Sequence, residues 1–272
     1  MRTPQQNAAA PPTNHAMLTV PGVRAETFVL DAMHVLDLGC SQHVLANVFF
    51  DIVFDELTGT REAAAETLFC MILAAYDELK IDHDNRVSTL KLQNFCAKGR
   101  PHQEFPTLKG IKARETRYLL PVALELCKRF QSRNPYTKHR TLCVESLLRV
   151  CEIMDSGGTF LDRGARQAFM SVVAAFLSHY SALAWLAHEQ KKLCWSVVPK
   201  HHYAAHLPEQ AAWCNSWLLW AYGGESMVGK IATLGHSCLA GTAAEKVAAR
   251  ILPKYRVAMR LRLTSCSVDC SR

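Results

Sequence analysis

Apolar side chains recur along this chain at spacings of three and four residues, the period that gathers them on one face of an α-helix. Between Ser41 and Leu57, the residues Val44, Leu45, Val48, Phe49 and Ile52 share a side. Gly59-Thr60 interrupts the pattern, and Leu68, Met71, Ile72, Ala75 and Leu79 restore it between Glu62 and Leu79. These two segments predict a helical hairpin. Residues 80–110 carry turn chemistry instead: Asp82, Asp84 and Asn85, then Gly99-Arg100-Pro101, Pro106 and Gly110, with room for a short helix at Thr89–Cys96.

Helical patterning resumes from Lys112 to Gln131 through Tyr118, Leu119, Val122, Leu126 and Phe130, and Pro121 inside it predicts a kink or break near Leu120. Arg140–Met154 is a further apolar helix, stopped by Gly157-Gly158, and a long helix follows from Gly164 to Gln190. Thr242-Ala243-Ala244-Glu245 has the form of a capping box and opens a last helix that runs to about Arg260. Strand-like stretches are confined to Thr27–Asp31 and Ser196–Val198. The expected fold is mainly α, a helical bundle-like domain. Its expected divisions are a disordered leader (1–20), an N-terminal helical hairpin region (21–98), a main helical domain (99–262) and a flexible tail (263–272).

One segment invites a membrane reading, because Gln167–His188 holds no Asp, Glu, Lys or Arg over 22 residues. Its large apolar residues Phe169, Val172, Val173, Phe176, Tyr180 and Leu183 follow a single helix face, however, and Ser171, Ser178, His179 and Ser181 interrupt them. That is the pattern of a core helix, so no membrane partner is expected.

Composition adds two constraints. At 49% hydrophobic and 20% charged residues the chain has the make-up of a globular protein with a sizeable core, which excludes disorder as its main state. The net charge of +7 is unevenly spread: residues 25–84 carry 12 acidic side chains against Arg61 and Lys80, and residues 85–272 carry 27 basic against 12 acidic. A basic body makes a polyanion such as DNA a candidate partner. The 11 cysteines include no C-x-x-C pair, and Cys70, Cys127, Cys143, Cys151 and Cys194 sit among aliphatic residues. They read as reduced core residues of an intracellular protein, and the leader, lacking an apolar h-region, predicts no secretory signal.

Three islands could carry chemistry. Asp31-Ala32-Met33-His34 puts a carboxylate at the end of a strand-like stretch with an imidazole three residues on, a pair able to bind a divalent metal or share a proton, or else a cap with a packed histidine. Pro199-Lys200-His201-His202-Tyr203-Ala204-Ala205-His206 puts His202 and His206 at i, i+4 on one helix face, the spacing of H-E-x-x-H metal sites without the general-base Glu; buried histidines satisfied by backbone are the alternative. Trp220 to Lys230 is the densest, with Gly223-Gly224 expected to bend the chain before Glu225 opens a helix. It approaches a phosphate loop at Gly224–Lys230, but Ile231 stands where Ser or Thr would hold magnesium. Trp213, Trp217, Trp220 and Tyr222 at helical spacings are expected in the core, with base stacking the alternative.

In this order the three islands resemble CACTA-type (En/Spm-like) cut-and-paste transposases. Asp31-Ala32-Met33-His34-Val35-Leu36-Asp37-Leu38-Gly39 resembles their D-x-M-H-x-x-x-L-G segment, and Pro199–Pro208 is similar to P-K-x-H-x-x-x-H-L-P. The stretch around Glu225 is similar to F-E-R-x-x-G-x-L-K, although Gly224, Ser226 and Ile231 replace its Phe, Arg and Leu. The resemblance implies the helical insertion and last elements of a truncated RNase H-like fold. It implies catalytic roles for Asp31, His34 and Glu225, with Asp31 and Glu225 as ligands of Mg or Mn, and a nuclear location. The two earlier catalytic Asp of the family have no counterpart in the residues before Asp31.

The resulting expectation is a transposase-derived fragment, incomplete as a nuclease and inactive alone, that retains DNA contact. The basic last helix is the expected contact, through Lys246, Arg250, Lys254, Arg256 and Arg260, with Arg262 beyond. The alternative is a helical protein–protein interaction domain with no nucleic-acid role. A third reading is a metal hydrolase using His202 and His206 with Asp31 or Glu225.

Overall fold

The computed structural model describes residues 20–21, 29–96, 104–239, 241 and 243–269, which form eight α-helices with no strand among the described residues. Of the strand candidates, Ser196–Val198 is irregular, as are residues 29–31, and residues 27–28 lie outside the described residues. The leader at 1–19, Gly99-Arg100-Pro101, Thr242 and the last three residues also lie outside them. Two compact units divide the chain, one ending at Leu219 and the other starting at Trp220. The turn-rich segment expected as the internal boundary lies inside the first unit, because the helices on either side of it pack together.

The first unit is built around a rod that is helical from Met33 to Glu56. Its middle is α1, Ser41–Asp51, and its two ends, Met33–Cys40 and Ile52–Glu56, have the wider π-helical winding. Val44, Leu45, Ala46, Asn47, Val48, Phe49, Phe50 and Asp51 are all buried, so α1 is enclosed on every side. A helix buried all round has no solvent face. Full burial of each Val, Leu, Ile or Phe stabilises by about 1.5–3 kcal/mol, which makes this rod the centre of the unit.

Four further helices follow it along the chain. Helix α2, Arg61–Glu78, starts where the Thr60 hydroxyl accepts the Ala63 N–H at 3.3 Å, after Gly59 has turned the chain at φ +103°. Two short 3₁₀ turns, His83–Asn85 and Leu92–Asn94, occupy the segment expected to be loop-like. Helix α3, Ala113–Arg129, runs through Pro121 without a break, since Leu119, Leu120 and Val122 are fully buried and packing holds the backbone on both sides. Helix α4, Pro135–Ser156, begins with Asn134 accepting the Tyr136 N–H and proline in its first turn. Helix α5, Arg163–Glu189, begins with Asp162 accepting the Ala165 N–H at 2.8 Å.

Helices α4 and α5 form the most extensive pair. Their turn depends on Gly157, where an added Cβ would meet Leu161 Cδ2 at 2.3 Å and Asn215 Nδ2 at 3.0 Å. The buried Asn215 amide in turn donates to the Met154 carbonyl at 2.8 Å. Along α5 the residues Phe169, Val173, Phe176, Tyr180, Leu183 and Ala187 are buried, the single face that the periodicity predicts. By length and composition alone α5 could cross a membrane, and it is the one such helix among the described residues.

The core also encloses charges. Asp51 accepts the Tyr136 hydroxyl, Tyr136 accepts the Trp195 indole N–H at 2.7 Å, and the Arg140 guanidinium lies between Asp51 at 3.7 Å and Glu56 at 3.3 Å. Burial pushes the Asp51 carboxyl up to about 7, with Arg140 and Tyr136 pulling the other way. Trp195 itself holds φ at +58°, a left-handed conformation costly for a bulky residue. Its N–H reaches the buried Asn47 side chain at 2.7 Å, which helps hold it there.

The second unit is a helical hairpin, α7 (Tyr222–Leu239) and α8 (Ala244–Asp269), packed against each other. Gly223 and Gly224 lie inside the first turn of α7, so helix replaces the expected bend. Helix α8 continues past the expected end near Arg260, and residues 263–269 of the expected flexible tail belong to it.

Candidate functional site

The first two islands meet in the first unit. Asp31 stands two residues before the π-helical segment: one carboxylate oxygen accepts the Met33 N–H at 3.0 Å and the other is hydrogen-bonded by His34 Nδ1. The side chain of His34 is about two-fifths exposed. Immediately before Asp31, Leu30 makes two hydrogen bonds to the Gln210 amide, at 2.6 and 2.9 Å. Gln210 ends α6, Pro199–Gln210, the helix that carries the histidine island.

Gly39 completes this contact. A Cβ built there would lie 3.2 Å from the Lys200 side chain and 2.8 Å from the His34 carbonyl, so glycine is what lets α6 press against the π-helical segment. The glycine of one island and the lysine of the other are therefore two halves of one packing contact.

On α6 the three histidines part company. His201 is buried against Tyr180 and Phe176, and its Nδ1 accepts the Val198 N–H at 3.1 Å, closing the start of the helix. Burial pushes its pKa down to about 4, so the ring is neutral near pH 7. His202 and His206 instead bring their Nε2 atoms to 3.3 Å, and His206 Nδ1–H donates to Glu209 Oε2 at 2.9 Å. They border a groove of about 770 Å³ lined also by Val29, Leu30, Tyr203 and Trp213.

Glu225 and the expected basic contacts belong to the second unit. Glu225 lies in the first turns of α7 and Lys230 lies exposed on the same helix, so no phosphate-binding loop forms there. Lys246, Arg250, Lys254, Arg256 and Arg260 are all exposed on α8. At 100° per residue these five fall within about 160° of the helix circumference and span about 21 Å of its length. Val247, Ile251 and Tyr255, half-buried among the described side chains of α8, lie outside that arc, and Ile251 packs close to Gly235 of α7.

Some expectations fail at the level of side chains. Trp213 is 81% exposed, and Trp217, Trp220 and Tyr222 are only half-buried, so the aromatic run does not form core. Cys70 is exposed on α2, whereas Cys127, Cys143, Cys151 and Cys194 are buried. Burial pushes Cys127 and Cys151 up to about 12, which keeps these thiols protonated and inert. The nine cysteines whose side chains are described are all free.

Sequence reasoning missed the polar groups of the core. Asp51, Arg140 and Asn47 carry no local motif, and neither does Asp37, which is fully buried and paired with Arg117 at 3.3 Å. Arg117 also reaches Asp155 at 2.6 Å. Glu209 could have been found, since it stands three residues after His206, within reach on a helix.

No family model, no curated protein and no solved structure matches the chain. Asp31 accepts from Met33 and His34, and no three His, Cys, Asp or Glu side chains among the described residues are placed to hold a metal ion; the side chain of Glu225 lies outside the described residues.

Proposed function

We propose that this chain is a transposase-derived helical protein that binds DNA through α8 and does not cut it alone. The supporting observation is the cationic arc of α8: five exposed basic side chains on one side of a helix whose half-buried Val247, Ile251 and Tyr255 lie outside that arc, although the exposed Val257 lies within it. Such an arc can follow phosphates along a groove, and each cation placed near a phosphate releases a counterion. The transposase origin rests on the resemblance of the three islands, to which the packing of Gly39 on Lys200 adds a physical reason for two of them to occur together. A nuclear location would follow from the same origin.

The test is binding of the full chain to a short duplex followed by fluorescence anisotropy as salt is raised. Five phosphate contacts correspond to a slope of log affinity on log salt of about −4.5, or a fall of several hundredfold between 50 and 200 mM. Replacing Arg250 and Lys254 together by Ala lowers the slope by about 2. Absence of binding at low salt, or binding unchanged in the double variant, rejects this reading; the second outcome would favour the protein-interaction alternative.

A further inference from the structure

The histidine pair on α6 has a use that DNA contact does not require. Two nitrogens bound to one tetrahedral zinc ion at about 2.0–2.1 Å lie about 3.3–3.4 Å apart. The Nε2 atoms of His202 and His206 are separated by 3.3 Å. Ionised carboxylates only accept, so the Glu209 contact places the proton of His206 on Nδ1 and leaves the Nε2 lone pair facing His202. A carboxylate behind a ligating imidazole is the usual outer-shell partner of a metal-bound histidine, fixing both tautomer and ring orientation. His202 is exposed, so packing does not demand an imidazole there, and the adjoining groove leaves space beside both rings.

We propose that His202 and His206 form a two-histidine Zn²⁺ site on the rim of the α6 groove, with Glu209 orienting His206 and water completing the coordination. A shared N–H···N hydrogen bond has nearly the same length but needs a proton on one of the two Nε2 atoms. Zinc needs both lone pairs, so supplying it shifts the shared proton from Nε2 to Nδ1 of His202 and replaces the hydrogen bond with two Zn–N bonds. The site lies in the first unit, and α8 lies in the second, so this proposal stands or falls independently of the DNA-binding reading.

The experiment is a calorimetric titration of the chelator-stripped full chain with Zn²⁺ under reducing conditions, repeated on His202→Ala, His206→Ala, Glu209→Gln and Lys246→Ala. The wild-type chain and Lys246→Ala should take up one ion that both histidine variants lose, and Glu209→Gln should bind it at least about tenfold more weakly. The same concentration of Zn²⁺ should raise the thermal midpoint of the wild-type chain and not that of the histidine variants, which also shows that the variants fold. No uptake by the wild-type chain, or equal uptake by wild-type and both histidine variants, overturns the site. Unchanged affinity in Glu209→Gln overturns the role given to Glu209.

Discussion

The two units of this chain use charge in opposite ways. Up to Leu219 there are 23 basic and 21 acidic residues, and the best placed of them are buried in pairs: Asp51 with Arg140, Asp37 with Arg117. From Trp220 onward eight basic residues face three acidic ones, giving +5 of the chain's +7. Cys238 is the one buried side chain described in this unit. Charge in the first unit is spent inside the fold, where it fixes how helices meet. Charge in the second is spread along an exposed helix surface, where Lys254 also donates to Ser237 of α7. Altering the first should therefore move stability, and altering the second should move binding.

The largest effect is expected at Arg140, whose side chain is 1% exposed between Asp51 and Glu56. Arg140→Ala leaves Asp51 buried without its cation and should cost about 3–5 kcal/mol, read as a fall in the urea midpoint. A change below about 1 kcal/mol would mean that the core relaxes around the missing charge. Tyr136→Phe is smaller and more specific. It removes one donor to Asp51, which keeps Arg140 beside it, and leaves the buried Trp195 indole N–H without its acceptor, at a cost of about 1–3 kcal/mol.

Two groups of the same core should oppose one another as pH changes. The His201 pKa is lowered to about 4 by burial, so its stabilising contribution is complete above the ordinary value of 6.5 and is lost as pH falls toward 4. Asp51 is raised to about 7 by burial, so its contribution is complete below about 4 and is lost as pH rises through 7. Between pH 4 and 6.5 each changes stability by about 1.4 kcal/mol per pH unit at most, in opposite directions. His201→Phe should therefore make stability decline as pH rises through this window, and Asp51→Asn should make it climb. Denaturant midpoints measured at pH 4.5, 5.5 and 6.5 check both, and parallel curves for the two variants would exclude the opposition.

How much of this was legible depended on whether a role is expressed as local spacing. The buried face of α5 was readable because Phe169, Val173, Phe176, Tyr180 and Leu183 repeat at helical intervals. The His202–His206 pair was readable for the same reason, since one helix turn sets that distance. Burial of α1 on all sides was not, because an enclosed helix has no polar face to contrast with its apolar one, and Asn47 and Asp51 look like ordinary surface residues within it. Trp195 with Asn47 and Tyr136, Arg140 with Asp51 and Glu56, and Asn215 with Met154 and Gly157 join positions 58 or more residues apart, which no local window contains. The start of the rod at Met33 was missed as well: helical periodicity was read only from Ser41, one segment later than the winding begins.

The smallest change in stability is expected at Lys246. It is exposed on α8 and lies at the middle of the cationic arc, so Lys246→Ala should leave the denaturant midpoint within about 0.5 kcal/mol of wild type. Its effect on DNA should be distinct in form as well as in size. Loss of one phosphate contact lowers the salt slope by about 1 and weakens binding to duplexes of unrelated sequence alike. Tyr136→Phe should show the converse: a lower midpoint with an unchanged slope in the folded protein. If Lys246→Ala instead lowers the midpoint while leaving the slope alone, the arc is part of how the hairpin holds together, and the contrast between the two units would rest on burial rather than on use.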